Sequence, residues 1–265
     1  MMLGAIVGDI VGSRFEWHNI KSKDFKLFTC DDFATDDSIM TLAIADALMQ
    51  YKSGNYNKLR RDTINSMLMV GRPYRDCGYG LGFYEWLYGD EQKPYNSCGN
   101  GSAMRVSAVA YVAKSLEEVK QMSLAVTDIS HNHPEGIKGA EATAVATYMA
   151  LNGSNKEEIK KYIYDNYYKF GKTLAEIRPK YKFEGTCQQT VPQALAAFWE
   201  STDFEDAIRN AISIGGDSDT VAAITGAVAG AYYGVPAEIA VTAGLYLDAP
   251  LKQILNAFES KYLKR

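Results

Sequence analysis

Two short runs of carboxylates and hydroxyls carry most of the chemistry this sequence can do: Thr35-Asp36-Asp37-Ser38 near the start, and Gly216-Asp217-Ser218-Asp219-Thr220 far along the chain. Asp and Thr offer hard oxygens, suited to an octahedral cation such as Mg²⁺ or Mn²⁺, whereas a softer metal would call for Cys or His. Brought into one pocket, the four carboxylates would repel one another and ionise together only against compensating positive charge. A pair of divalent cations about 3.5 to 4 Å apart would supply that charge, polarise substrate oxygens and activate water. The alternative for each run is helix capping, since Asp, Ser and Thr accept hydrogen bonds from the free N–H groups of a helix start and complement its dipole. An EF-hand is excluded, because the twelfth position counted from Asp217 is Val228, where a bidentate Glu is required.

Helical segments must position these runs. Met40, Ala43, Ile44, Ala47, Leu48 and Tyr51 recur at helical spacing directly after the first run, which therefore opens a helix. Ser115 with Glu118 and Ser154 with Glu157 have capping-box spacing, and Ile159, Tyr162, Ile163, Tyr167 and Phe170 continue a stripe after the second pair. Asp203 precedes the stripe Phe204, Ala207, Ile208, Ala211 and Ile212, which stops at Gly215-Gly216, just before the second run. Ala222, Gly226 and Gly230 then recur every fourth residue, and glycine inside a helix is tolerated for close helix-helix approach. Period-two alternation and hairpin signals are scarce, so the chain reads as predominantly α, with binding loops expected at 71–82, 95–101 and 171–185.

At 265 residues and 47% hydrophobic, the chain can bury a large core and is expected to form one domain over residues 1–265. Its net charge of −4 gives no general attraction to nucleic acid or acidic membrane, so an anionic ligand needs a local device. The N-terminus lacks the basic region and cleavage site of a signal peptide, and the weakly polar stretch from Val221 to Val235 is too short for a bilayer, so it reads as a buried helix. Cys30, Cys77, Cys98 and Cys187 show no CxxC spacing, and with only His18, His131 and His133 there is no zinc pattern; reduced thiols in a cytoplasm are expected.

Five motifs in order resemble the ADP-ribosylglycohydrolase family: Gly8-Asp9-Ile10-Val11-Gly12 with Glu16, Thr35-Asp36-Asp37-Ser38, Gly99-Asn100-Gly101-Ser102-Ala103-Met104-Arg105, His131-Asn132-His133-Pro134, and Gly215-Gly216-Asp217-Ser218-Asp219-Thr220. The resemblance extends over the chain, through Gly78-Tyr79-Gly80 and Thr190-Val191-Pro192. It implies an all-α fold, a single compact orthogonal helical domain with two Mg²⁺, or Mn²⁺, at its centre. Carried over by position, the metal ligands are Thr35, Asp36, Asp37, Asp217, Asp219 and Thr220, with Glu16 close by.

The same resemblance implies hydrolysis of the bond between the distal ribose of ADP-ribose and a modified side chain, through an oxocarbenium-like state. Glu16, Asp36 and Asp37 are the implied catalytic residues, with Asp37 or Glu16 handling the proton. Ser97, Gly99, Asn100 and Gly101 would cradle the pyrophosphate, helped by a helix starting near Ser102, and Arg105 would meet the diphosphate or a structural carboxylate. His131 would sit beside the distal ribose and His133 would end a turn, while Tyr181 or Phe183 would stack on adenine. The implied partner is a mono-ADP-ribosylated protein, modified on arginine first, with serine-linked or O-acyl conjugates as alternatives; a non-catalytic ADP-ribose binder or a structural protein is the reading of another class. A monomer without general affinity for nucleic acid or membrane completes the expectation.

Overall fold

The computed structural model describes residues 2–263 of the chain. Its helices are α1 (Leu3–Ser13), α2 (Asp36–Met49), α3 (Tyr56–Gly71), α4 (Leu81–Tyr88), α5 (Gly101–Met104), α6 (Val109–Val112), α7 (Leu116–Thr127) and α8 (Pro134–Leu151). They continue with α9 (Lys156–Asn166), α10 (Leu174–Ile177), α11 (Cys187–Trp199), α12 (Phe204–Ser213), α13 (Ser218–Tyr233), α14 (Ala237–Ala243) and α15 (Ala249–Tyr262). The fold is all-α, and the β pairing among the described residues is an isolated antiparallel bridge between Gly99 and Thr186. No described helix is long and apolar enough to cross a membrane.

The centre of the fold is the pair α1 and α13, whose backbones touch. A Cβ added at Gly4 would lie 2.3 Å from the Gly226 carbonyl oxygen, at Gly8 2.0 Å from that of Ala222, and at Gly12 2.4 Å from the Cα of Asp219. Gly4 and Gly8 thus face the small-residue stripe on α13 and Gly12 the backbone just before it, so the close helix approach expected of that stripe is made by backbone against backbone. This packing seats the end of α1, and the chain that leaves it toward Glu16, on the start of α13 where the second aspartate run lies.

Both runs open helices. Thr35 caps α2 by accepting from the Asp37 N–H, whereas Asp217 at the start of α13 makes no side-chain cap bond. Capping therefore accounts for part of the first run and leaves the Asp217 carboxylate to other work. Gly215 and Gly216, with φ of +68° and +86°, turn the chain from α12 into α13.

Several local expectations are corrected. α2 is buried nearly all round from Ser38 to Ala45 rather than along one stripe, because it runs through the core between its neighbours. The capping box of α9 is Asn155 with Glu158, one residue beyond the expected Ser154 and Glu157. Ser115 does cap α7, but the Glu118 carboxylate accepts from the Lys114 N–H and closes no box. α9 ends at Asn166, so Tyr167 and Phe170 lie past the helix, and the loop expected over 171–185 contains the short helix α10.

Candidate active site

Four segments converge at the base of a cleft of about 460 Å³, a volume typical of small-molecule sites. The start of α2 brings Asp36 and Asp37, the start of α13 brings Asp217, Asp219 and Thr220, the chain after α1 brings Glu16, and the loop into α5 brings Ser97, Gly99, Asn100 and Gly101. Thr35 lies behind Asp37, buried, with its hydroxyl 3.4 Å from Asp37 Oδ2. The sequence-predicted residues are therefore gathered in one place.

Asp9, which sequence reasoning quoted in a motif but gave no role, is the residue that docks α2 on α1. Its carboxylate accepts from the Thr35 hydroxyl at 2.6 Å and from the Thr35 and Ser38 N–H groups at 3.0 Å each. An acidic residue inside the otherwise apolar Leu3–Ser13 segment was the available signal. Carboxylate oxygens of Asp9, Asp37 and Asp219 approach within 4.8 Å of one another, and so do those of Glu16, Asp217 and Asp219, giving two adjoining groups that share Asp219.

Burial raises all of these carboxyls, and neighbouring carboxylates add to it at Glu16, Asp36, Asp37 and Asp219. Burial pushes Asp9 up to about 6 against its hydrogen bonds, and burial followed by the charge of Asp217 pushes Glu16 up to about 7. Asp36, Asp37 and Asp219 are held well above the ordinary carboxylate range, by burial first and neighbouring carboxylates second. Asp217 is raised by burial against hydrogen bonds with Asp219 first and then with Asn100, whose Nδ2 donates to it at 2.7 Å. Asp37 Oδ1 is buried with no hydrogen-bond partner, an expensive state for a carboxylate oxygen. Hard oxygens at mutual ligand spacing, with one orphaned and the rest repelling, fit divalent cations.

The cradle residues line the cleft and also have partners within the fold. Asn100 aims its side-chain N–H groups at Asp217 and at Thr190 Oγ1, 3.1 Å away, and its backbone N–H at the Gly185 carbonyl, so it holds a carboxylate and anchors the loop. The helix that follows, α5, has only 4 residues, too short to bring a substantial dipole to an anion. Ser97 Oγ accepts from the Gly99 N–H at 3.1 Å, and the cleft wall there is formed by Gly99 and Gly101.

Among the described residues Arg105 makes no ion pair with a carboxylate. It is 1% exposed and lies with its guanidinium 4.9 Å from the centre of the Phe83 ring, donating from Nη2 to Ser130 Oγ at 2.7 Å. Arg105 Nη2, which can only donate, also stands 3.4 Å from His131 Nδ1, so that nitrogen accepts, and the Ser130 hydroxyl 2.9 Å away can donate to it as well. His131 therefore carries its proton on Nε2, and the nearby cation together with burial keeps the ring neutral by holding its pKa well below the usual value. That Nε2 lies beside Gly99 and Gly101, so the cleft wall offers a neutral N–H donor there. His133 caps α8, accepting from the Glu135 N–H at 3.1 Å, and Pro134 follows at the first helical position.

Of the two aromatics considered for stacking, Phe183 lines the cleft and Tyr181 does not; the Tyr181 ring covers Gly216 instead. Phe183 stacks on Trp17, with ring centres 5.1 Å apart and planes 15° from parallel. Trp17 carried no sequence signal beyond adjacency to Glu16. The segment bearing Glu16 and Trp17 has no regular structure and is tied down by side chains. Asn19 bonds Gly216, Lys21 donates to the carbonyls of Ile214 and Tyr181, and Arg14 pairs with Asp32.

The site so defined is a cleft in an all-α fold, with two adjoining carboxylate groups and a glycine loop at its wall. The chain belongs to the ADP-ribosylglycohydrolase family, whose model matches residues 1–256. It is similar to ADP-ribosylarginine hydrolase Tri1 of Pseudomonas putida (strain GB-1), 27% identical over 88% of this chain and 70% of that protein. It is also similar to ADP-ribosylhydrolase ARH3 of Homo sapiens, at 24% identity over 88% of this chain and 84% of that one. A solved structure described as an ADP-ribosylglycohydrolase-related protein complex shares the fold, with a TM-score of 0.66 at 24% identity over 92% of this chain and 95% of that chain.

Proposed function

We propose that this protein is a metal-dependent ADP-ribosyl hydrolase that cleaves the glycosidic bond between the distal ribose of ADP-ribose and an arginine side chain. The observation that carries the reading is the gathering of Glu16, Asp36, Asp37, Asp217 and Asp219 at the base of one cleft, with Asp37 Oδ1 left unpartnered. Thr35, Asp36, Asp37, Asp217, Asp219 and Thr220 would hold two Mg²⁺ or Mn²⁺ ions, which would supply Lewis acidity toward ribose hydroxyls and water. Arginine is favoured over serine because a relative covering most of the chain is named for ADP-ribosylarginine.

The chain's own groups divide the remaining work. The Gly99 and Gly101 wall and the His131 Nε2–H bind and orient the nucleotide side of the distal ribose, with Ser97 holding the loop. Glu16, a cleft carboxylate left out of the proposed ligand set, takes a proton from water and returns it to the leaving group. Asp36 and Asp37 steady the positive charge that develops at the anomeric carbon. Conversion of Asp36 or Asp219 to Asn tests this assignment: turnover of ADP-ribosylarginine should fall at least about a hundredfold with the far-ultraviolet spectrum unchanged. Full activity in either variant would remove the carboxylate groups from the mechanism.

A further inference from the structure

The cleft has two kinds of rim. Along Gly80, Leu81 and Gly82 it carries no charge, and Leu81 is 75% exposed there. Along Glu16, Trp17 and Phe183 it is aromatic and acidic, with Trp17 73% and Phe183 45% exposed although the two rings stack on each other. An aromatic pair left this open is paired on one face and free on the other. The Glu16 carboxylate meets the Trp17 side chain and also belongs to the group formed with Asp217 and Asp219. Among the described residues lining the cleft the only cation is Arg105, already committed to Ser130.

A flat aromatic face next to a carboxylate is a site for a planar, weakly hydrated cation: the ring quadrupole attracts it from above while the carboxylate meets its N–H edge. A neutral nucleobase would gain the stacking and at most an amine hydrogen bond to the carboxylate, without the charge pairing a guanidinium makes, and the uncharged stretch of rim suits it better. We propose that Trp17 and Phe183, with Glu16, form the subsite for the guanidinium of the modified arginine, and so select cationic over uncharged leaving groups. This rests on the arginine reading above and adds the residues that enforce it. The carboxylate that selects the cation is then also the group beside the bond to be broken, so recognition and proton transfer occur at one place.

The test compares wild type, Trp17→Ala, Phe183→Ala and Trp17→Phe on an arginine-linked and a serine-linked ADP-ribosylated peptide, together with calorimetric binding of free ADP-ribose. Trp17→Ala and Phe183→Ala should lower kcat/KM on the arginine-linked peptide about tenfold or more, the scale of a desolvated cation–π contact, and leave serine-linked turnover and ADP-ribose affinity within about twofold. Trp17→Phe should recover most of the arginine-linked rate. A parallel loss of ADP-ribose affinity would assign the pair to the nucleotide and overturn the proposal, as would unchanged kcat/KM on the arginine-linked peptide. In both of those outcomes wild-type turnover of that peptide would still stand, whereas its absence would overturn the arginine reading and this subsite together.

Discussion

Asn19 and Gly216 are joined by two hydrogen bonds, side-chain amide to peptide: Nδ2 donates to the Gly216 carbonyl at 2.8 Å and Oδ1 accepts from the Gly216 N–H at 2.7 Å. The same Nδ2 reaches the carbonyls of Phe15 and Glu16, at 2.7 and 2.9 Å. One side chain thus sets the spacing between the backbone that carries Glu16 and the backbone that carries Asp217.

Removal of that clamp should cost catalysis more than folding. Asn19→Ala is expected to lower kcat about ten- to a hundredfold, the usual effect of losing a partner that orients a ligand shell, while stability falls by about 1–2 kcal/mol. Asn19→Asp keeps the acceptor, loses the donor and adds a carboxylate beside Glu16, so it should fare no better. Equal loss of kcat and of stability, measured by turnover and urea melts, would reduce Asn19 to a structural tie.

The backbone contact of α1 with α13 makes Gly8 the least replaceable residue of the core. Gly8→Ala puts a methyl carbon 2.0 Å from the Ala222 carbonyl oxygen, and both partners are helix backbone that cannot step aside. A loss of about 3 kcal/mol or more is expected in denaturant unfolding. Gly80→Ala, where an added Cβ meets nothing within 4 Å, is the control and should change stability by less than about 0.5 kcal/mol.

Metal-free stability should depend on pH in the direction opposite to that of ordinary salt-bridged carboxylates. Glu16 rises to about 7 in the fold and Asp9 to about 6, with Asp36, Asp37 and Asp219 also raised, so the native state binds more protons than the unfolded chain. Stability is then greatest below the unfolded carboxyl values near 4 and is lost as pH climbs through the folded ones. In chelator, Tm at pH 5 should exceed Tm at pH 7.5, and added Mn²⁺ should recover the loss at pH 7.5. A chelated protein more stable at pH 7.5 than at pH 5 would contradict the raised carboxyl values.

His131 should remain a neutral donor across the working range. Burial and the Arg105 charge hold its pKa well below the usual value, and the Arg105 donor beside Nδ1, with Ser130, fixes the proton on Nε2. Its ring ¹⁵N shifts should stay at those of the Nε2–H tautomer from pH 6 to 8, and His131→Ala should raise KM about tenfold with a smaller effect on kcat.

Much of this was legible in the residues. The aspartate runs, the helix starts they occupy and the small-residue stripe on α13 follow from ligand chemistry, capping and periodicity, and the structure brings the runs together. What could not be read was the partner of each feature. Nothing local says that Gly4 and Gly8 face that stripe, that Asp9 reaches across to Thr35, or that Asn19 spans to Gly216, because each is a contact between segments far apart in sequence. Asn100 and Arg105 show the same limit. Their types suit phosphate, and no local signal names the further partners the fold gives them, Asp217 and Ser130.

The most direct test of the central claim is release of free ADP-ribose from arginine-linked and serine-linked ADP-ribosylated peptides, assayed side by side with Mg²⁺, with Mn²⁺ and with chelator. Release from the arginine-linked peptide that stops in chelator and returns with the metal is the expected result. Release that persists undiminished in chelator, or no release from either peptide with metal present, would contradict it.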